Sequence, residues 1–111
     1  MLYIDKDNTI HLTRGDTARI SVPITNEQTG AEYEMSKNDN LILTIKKRET
    51  DPNVIVQKNI VGSNTFHIQP VDTKEMAFGK YVYDVQLTTE LGDVYTVIAP
   101  STFEILKEVT W

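Results

Sequence analysis

The sequence predicts an all-β sandwich of about seven to nine antiparallel strands, with one short helical turn near residues 72–78. The chain has 111 residues, which is the length of one domain. Its apolar residues recur mainly at every second position, as in strands that bury one face. Clusters of glycine, proline and asparagine separate these runs at short, regular intervals. We therefore expect residues 1–111 to form a single β-sandwich domain.

The alternating runs mark out the strands. The clearest run is 81–87, in which four apolar side chains share one face. Leu91-Gly92-Asp93 lies between two alternating runs and predicts a hairpin. Pro100 has no N–H group, so we expect a bulge or kink there. Further strands are expected around 18–24, 41–46, 54–60, 66–68, 94–99 and 102–106, with an opening edge strand over 4–12 that is broken at 5–8, and a short edge strand at Tyr33 and Met35.

One segment departs from the alternation. Residues 72–79 favour a helical turn, in which Asp72 or Thr73 would accept hydrogen bonds from the first free N–H groups. Gly79 would take the left-handed position at the C-terminal end of that turn. Met76 would then close one end of the core.

Tyr81 follows this turn at the position of a tyrosine corner. In sandwiches of the immunoglobulin type, such a turn precedes the strand that carries the corner tyrosine. The Tyr81 hydroxyl would bond the main chain near residues 72–74. The alternative is an ordinary core tyrosine whose hydroxyl reaches the surface, and the sequence leaves both open.

Composition excludes several classes of function. Cysteine is absent, so disulfides, thiol catalysis and cysteine-based metal sites are excluded. The net charge is −5, which disfavours nucleic-acid binding, and the basic run 46–48 is followed at once by acidic residues. No segment approaches the ~20 apolar residues of a membrane helix, and the N-terminus has no apolar run of signal-peptide length. We expect neither a nucleic-acid nor a membrane partner.

No catalytic, metal or cofactor site is predicted. His11 and His67 lie far apart on predicted strands, and no serine stands in a nucleophile motif. The runs 5–8 and 38–40 carry side-chain oxygen ligands but lack the remaining ligands of a calcium loop, so we interpret them as polar turns. Asp84 is expected on the solvent face of its strand. Arg14-Gly15-Asp16 matches an integrin-recognition tripeptide but is interpreted as the turn that opens a strand.

Several segments resemble small immunoglobulin-like β-sandwich structural proteins of tailed phages and prophages of Gram-positive bacteria. The similar runs are 14–17, 70–73, 78–87, 92–98, 103–105 and 108–110. The resemblance implies an immunoglobulin-like sandwich that has no catalytic residues and belongs to a tail or baseplate. It also implies a location in the virion, or in the host cytoplasm before assembly.

The resemblance implies action through self-association or docking on other virion proteins. We expect the contacts at the N-terminal edge, 2–12, and at the chain end, 104–111, because an open edge offers unpaired main-chain groups. Trp111 either docks on its own domain or packs against a neighbouring subunit. The alternative function is a carbohydrate- or cell-surface-binding module lined by Tyr33, Tyr95 or Trp111, with Asn38 or Asn40 nearby. The candidate interface residues are Tyr3, Ile4, Ile10, Leu12, Ile105, Val109 and Trp111.

Overall fold

The computed structural model describes residues 2–25 and 29–108, except for the side chain of Tyr3. These residues are mostly β, as predicted, and their one helix is a single turn. In chain order the elements are β1 (Leu2–Ile4), β2 (Ile10–Thr13), β3 (Ala18–Ser21), β4 (Asn40–Lys46), β5 (Val54–Val61), β6 (Thr65–Ile68), α1 (Pro70–Thr73), β7 (Gly79–Thr88) and β8 (Val94–Leu106).

The described strands form two sheets of unequal size. The larger sheet is curled and has the order β1-β2-β8-β7-β4-β5, and the smaller sheet consists of β3 and β6. Inner side chains of both sheets form one hydrophobic core. Tyr83 and Phe103 meet edge to face at its centre, with ring centroids 6.0 Å apart. The Tyr83 hydroxyl donates to the Asn8 carbonyl oxygen at 2.5 Å, which fastens the β1–β2 turn to the core.

The N-terminal segment differs from the single broken strand that the sequence predicts. β1 and β2 form an antiparallel hairpin, with Asn8 at φ +69° in its turn. Asparagine adopts this left-handed conformation more readily than most residues. β2 then pairs with β8 in parallel, so the larger sheet is mixed, and the expectation of purely antiparallel strands was wrong. Parallel neighbours need a long crossover, and here everything from β3 to β7 supplies it.

The predicted hairpin and bulge are both confirmed. The Gly92 N–H donates to the Thr89 carbonyl oxygen and Gly92 has φ +91°, which closes the β7–β8 turn. β8 runs through Pro100 as one strand, but its pairing with β7 shifts register between Tyr83 and Gln86.

The expected edge strand at Tyr33 and Met35 was wrong. Neither residue lies in a strand, and both side chains pack against the core from the loop.

The helical turn occurs slightly earlier than predicted, over Pro70–Thr73. Proline suits the first helical position because its missing N–H needs no partner there. The residue that precedes the helix is Gln69, so the expected place of Asp72 or Thr73 at its start was wrong; Asp72 lies at the third helical position and accepts a hydrogen bond from the Gln69 N–H at 2.7 Å. Gly79 has φ +128° and begins β7, so its expected place at the end of the helix was wrong. Met76 is buried, as expected.

Tyr81 forms a tyrosine corner, which is one of the two alternatives that the sequence left open. Its side chain is 5% exposed, and its hydroxyl donates to the Ala77 carbonyl oxygen at 2.8 Å. The bond therefore reaches the main chain just before β7 and not residues 72–74, because the helix ends earlier than expected. The tyrosine fixes the direction in which the chain enters the central strand.

We expect Tyr81→Phe to lower the free energy of unfolding by about 1 kcal/mol, since it removes the hydroxyl and leaves the Ala77 carbonyl without that donor. Urea denaturation measures the change. Tyr95→Phe is the matched control, because Tyr95 is 55% exposed, and we expect an effect within about 0.5 kcal/mol. Equal effects of the two substitutions would contradict a structural role for the corner.

Candidate docking surfaces

The larger sheet ends in two edge strands, β1 and β5, each paired on one side only among the described strands. An edge strand offers free N–H and C=O groups that another chain can complete. β1 has three residues and β5 has eight. β5 is therefore the more extensive open edge, although the sequence prediction favoured the N-terminal one.

The predicted interface residues divide into three groups. Ile4 is 45% exposed on the edge strand β1, where a partner could reach it. Ile10, Leu12 and Ile105 are core residues on strands paired on both sides, so their assignment to an interface was wrong. Alternating apolar residues are equally consistent with a core and with an interface, and β2 proved to be an inner strand. Val109, Trp111 and the side chain of Tyr3 lie outside the described residues.

β5 carries an ion pair at its middle. Lys58 lies on the face of the strand that is directed toward the core, and its Nζ is 2.8 Å from Asp72 Oδ2 on α1. The same carboxylate oxygen caps α1. The pair therefore links the open edge of the larger sheet to the corner segment. Sequence spacing gave no signal for it, because 14 positions separate the two residues.

Arg14 binds Glu108, the last residue that the structure describes. Its guanidinium forms two hydrogen bonds with Glu108, at 2.8 and 3.2 Å, and a third with the Met76 carbonyl oxygen at 3.3 Å. It also lies 4.1 Å from the centre of the Phe78 ring. The guanidinium holds the pKa of Glu108 below its usual range. Arg14 thus has internal partners, which agrees with a structural turn at Arg14-Gly15-Asp16.

His11 lies between two carboxylates on the outer face of the larger sheet. Its Nε2 is 2.8 Å from Asp5 and its Nδ1 is 2.7 Å from Glu104. Ionised carboxylates only accept hydrogen bonds, so the ring satisfies both when it is protonated. The Asp5 contact, supported by Glu104, raises the pKa of His11 above its ordinary value of 6.5. The arrangement connects the β1–β2 turn to β8.

Asp39 organises the loops at one end of the sheets. It is 1% exposed, and its carboxylate accepts from the Tyr33 hydroxyl at 2.5 Å, the Ser36 N–H at 2.9 Å and the Glu90 N–H at 3.0 Å. The Tyr33 hydroxyl and the main-chain donors hold the pKa of Asp39 below its ordinary value of 3.8. In return, the carboxylate raises the pKa of Tyr33 to about 12. Asp39 joins the loop before β4 to the β7–β8 hairpin.

This network includes two of the five expected carbohydrate-binding residues. The Tyr33 hydroxyl is bound to Asp39, and the Asn38 amide lies 3.5 Å from a Glu90 carboxylate oxygen. Asn40 begins β4, and its Oδ1 is buried. Tyr95 is exposed, whereas Trp111 lies outside the described residues. The polar groups of Tyr33 and Asn38 therefore hold the loops together.

The outer face of the larger sheet carries a shallow groove of about 270 Å³. Asp84 lies there, opposite Thr44 on β4, which agrees with its predicted placement on the outer face. Burial raises the pKa of its carboxyl, and the charge of Lys46 opposes that effect.

Within residues 2–25 and 29–108, no cluster of acidic and histidine side chains is arranged to hold a metal ion. The same residues include no helix with the length and apolar character needed to cross a bilayer.

Comparison with protein-family models, curated proteins and solved structures found no match to this chain.

We expect the stabilisation from His11 to be fully present below about pH 6.5 and lost as the pH rises through the raised folded-state pKa. His11→Gln should therefore flatten the fall in melting temperature of the wild-type protein between mildly acidic and alkaline pH. His67→Gln, at an exposed position on β6, is the matched control and should keep the wild-type profile. Identical profiles for His11→Gln and the wild type would contradict the double hydrogen bond.

We expect Asp39→Asn to lower the free energy of unfolding at pH 7 by about 2 kcal/mol, because three hydrogen bonds to this buried residue lose a charged acceptor. The difference should shrink as the pH falls below 3.8, since the folded-state pKa is lowered and the wild type loses this stabilisation on protonation. Chemical denaturation across acidic pH measures both effects. Asp93→Asn, at an exposed position of the same hairpin, should stay within about 0.5 kcal/mol; a similar loss there would contradict the assignment.

Proposed function

We propose that this chain is a structural protein of a tailed phage or prophage, associated with the tail or baseplate, that acts through protein contacts and catalyses no reaction. Its fold would be a β-sandwich of the immunoglobulin type. The partners would be further copies of the chain or other virion proteins. The observation that carries the proposal is an extended strand edge, β5, on a sheet whose inner face belongs to a single core.

The strand order supports the immunoglobulin-type assignment. In that fold, strands C, F and G form one sheet, to which variable-type domains add C′, and strands B and E pair in the other. Here β4, β7 and β8 correspond to C, F and G, with β5 in the place of C′. β3 and β6 pair with each other as B and E do. The Tyr81 corner stands at the start of the strand that corresponds to F.

The segments that resemble phage proteins belong to neighbouring parts of this architecture. Residues 78–87 contain β7 except for Thr88, residues 92–98 contain the turn before β8 and its first residues, residues 103–105 belong to β8, and residues 70–73 are α1. These elements form the centre of the larger sheet and the corner beside it. Four of the six similar runs therefore belong to one continuous structural unit, as expected when the resemblance reflects a shared scaffold.

The best-organised titratable groups support a structural role. Both ring nitrogens of His11 face carboxylates, and both carboxylate oxygens of Asp39 accept hydrogen bonds from neighbouring loops. A general acid or base must instead reach a substrate proton. These two groups hold parts of the fold together, which is consistent with a protein that functions through its shape and edges.

We expect the chain to be a component of phage particles. Tailed particles should be induced from a host that encodes it, banded in a density gradient and analysed by mass spectrometry. The chain should band with the major tail proteins, whereas an abundant host cytoplasmic protein, as the control, should not. Particles that contain the tail proteins and lack this chain would overturn the proposal.

A further inference from the structure

We propose that β5 pairs with β5 of a second copy of this chain, in antiparallel orientation, about a two-fold axis through Lys58. The inference rests on the proposed function, which requires a protein partner, and it identifies that partner and the contact. The two larger sheets would join edge to edge into one continuous sheet.

The first support is the state of the β5 edge. β5 pairs with β4 over residues 54–61 except at Ile55, where the register shifts, and no described strand pairs with its other side. Val54, Ile55 and Val61 are exposed, and Val61 is 62% exposed. A long edge strand with exposed β-branched residues is a template for pairing with another chain. β5 also contains no proline, the residue that would interrupt such pairing.

The second support is the sequence of the strand, which is nearly the same in both directions. Outward from Lys58, the neighbours are Gln57 and Asn59, then Val56 and Ile60, then Ile55 and Val61. An antiparallel two-fold pairing places these very residues opposite each other. Each pair would join side chains of the same class, amide with amide and β-branched with β-branched, and cross-strand pairs of like size and polarity stabilise a sheet. This symmetry favours a second copy over an unrelated partner.

The third support concerns Lys58 itself, which would meet its own copy on the axis. A lysine directed inward at a sheet edge normally prevents edge pairing, and like charges placed opposite each other are destabilising. Here the Lys58 ammonium lies 2.8 Å from the Asp72 carboxylate of its own chain. The axis would therefore carry two neutralised ion pairs, not two bare cations. The ion pair permits the contact that an unpaired lysine would oppose.

The first experiment compares two variants that are altered at the same two positions. One is expected to weaken the dimer, and the other to leave its Kd nearly unchanged. Gln57 and Asn59 are exposed on the outer face, and each would lie opposite the other across the axis. In Q57K N59K, lysine meets lysine twice, and in Q57K N59E, lysine meets glutamate twice. Sedimentation equilibrium at low ionic strength should show a dimer Kd raised at least about tenfold in Q57K N59K and within about threefold of the wild type in Q57K N59E.

I4K, on the other edge of the same sheet, is the control for a general effect of added charge, and it should leave the dimer Kd unchanged. Circular dichroism and urea denaturation show whether each variant keeps its fold. A wild-type chain that remains monomeric up to about 1 mM would overturn the proposal. So would equal Kd values for the two double variants, or weakening by I4K alone.

The second experiment tests the register. The chain has no cysteine, so an introduced cysteine is the sole thiol. Opposed residues of an antiparallel pair have Cβ atoms about 4.5–5.5 Å apart, close enough for a disulfide to form with a small adjustment. Under mild oxidation K58C should cross-link with itself, whereas Q57C and N59C should cross-link with each other only when mixed. The mixed pair keeps Lys58 and its bond to Asp72. Self-cross-linking of Q57C without that mixed product would overturn the register.

These results are separable from the test of the proposed function. A chain found in phage particles whose β5 cysteines never cross-link, in the particle or in solution, would overturn the strand pairing alone. A chain that dimerises as expected and is absent from particles would overturn the phage assignment alone.

Discussion

The constraint on which this fold depends is the unequal size of its two sheets. The apolar inner face of the larger sheet must be removed from water, and the only described strands that cover it are β3 and β6, with four residues each. Their inner side chains, among them Ile20 and Phe66, pack over the centre of the larger sheet. The chain must therefore leave the larger sheet after β5 to place β6. The chain that follows β5 is therefore placed over the core, and no described strand pairs with the free side of β5.

Because the second sheet is so small, polar contacts stabilise the ends of the domain. Asp39 joins the loops at one end, and the Arg14–Glu108 pair holds the end of the described chain. Lys58 and Asp72 connect the open edge to the corner. Each carboxylate is removed in part from water, so its pairing matters more than that of a fully exposed ion pair. Several charged side chains of this acidic chain therefore form stabilising contacts within the fold, which the number of charged residues alone does not reveal.

The sequence was sufficient for most of the strands and insufficient for their partners. Period-two alternation located β3, β4, β7 and the two parts of β8, because burial on one face acts on each strand separately. The parallel pairing of β2 with β8 was not predictable, since it depends on contacts between residues more than 90 positions apart. For the same reason Ile10 and Leu12 were assigned to an edge: alternation shows that a strand has an apolar face and not which strand lies beside it. The Asp39 network depends on Glu90, which the sequence places 51 residues away.

The near-symmetry of residues 55–61 illustrates how sequence and structure complement each other. In an inner strand the pattern would carry no meaning, because both sides of the strand would already be paired. At β5 the pattern is informative, because one side of the strand lacks a described partner and the central Lys58 is paired with Asp72 of its own chain. Residues that face the core are constrained by packing, whereas residues along an edge strand are also constrained by any chain that pairs with its free side. An edge whose order is nearly the same in both directions is therefore well matched by a second copy of itself.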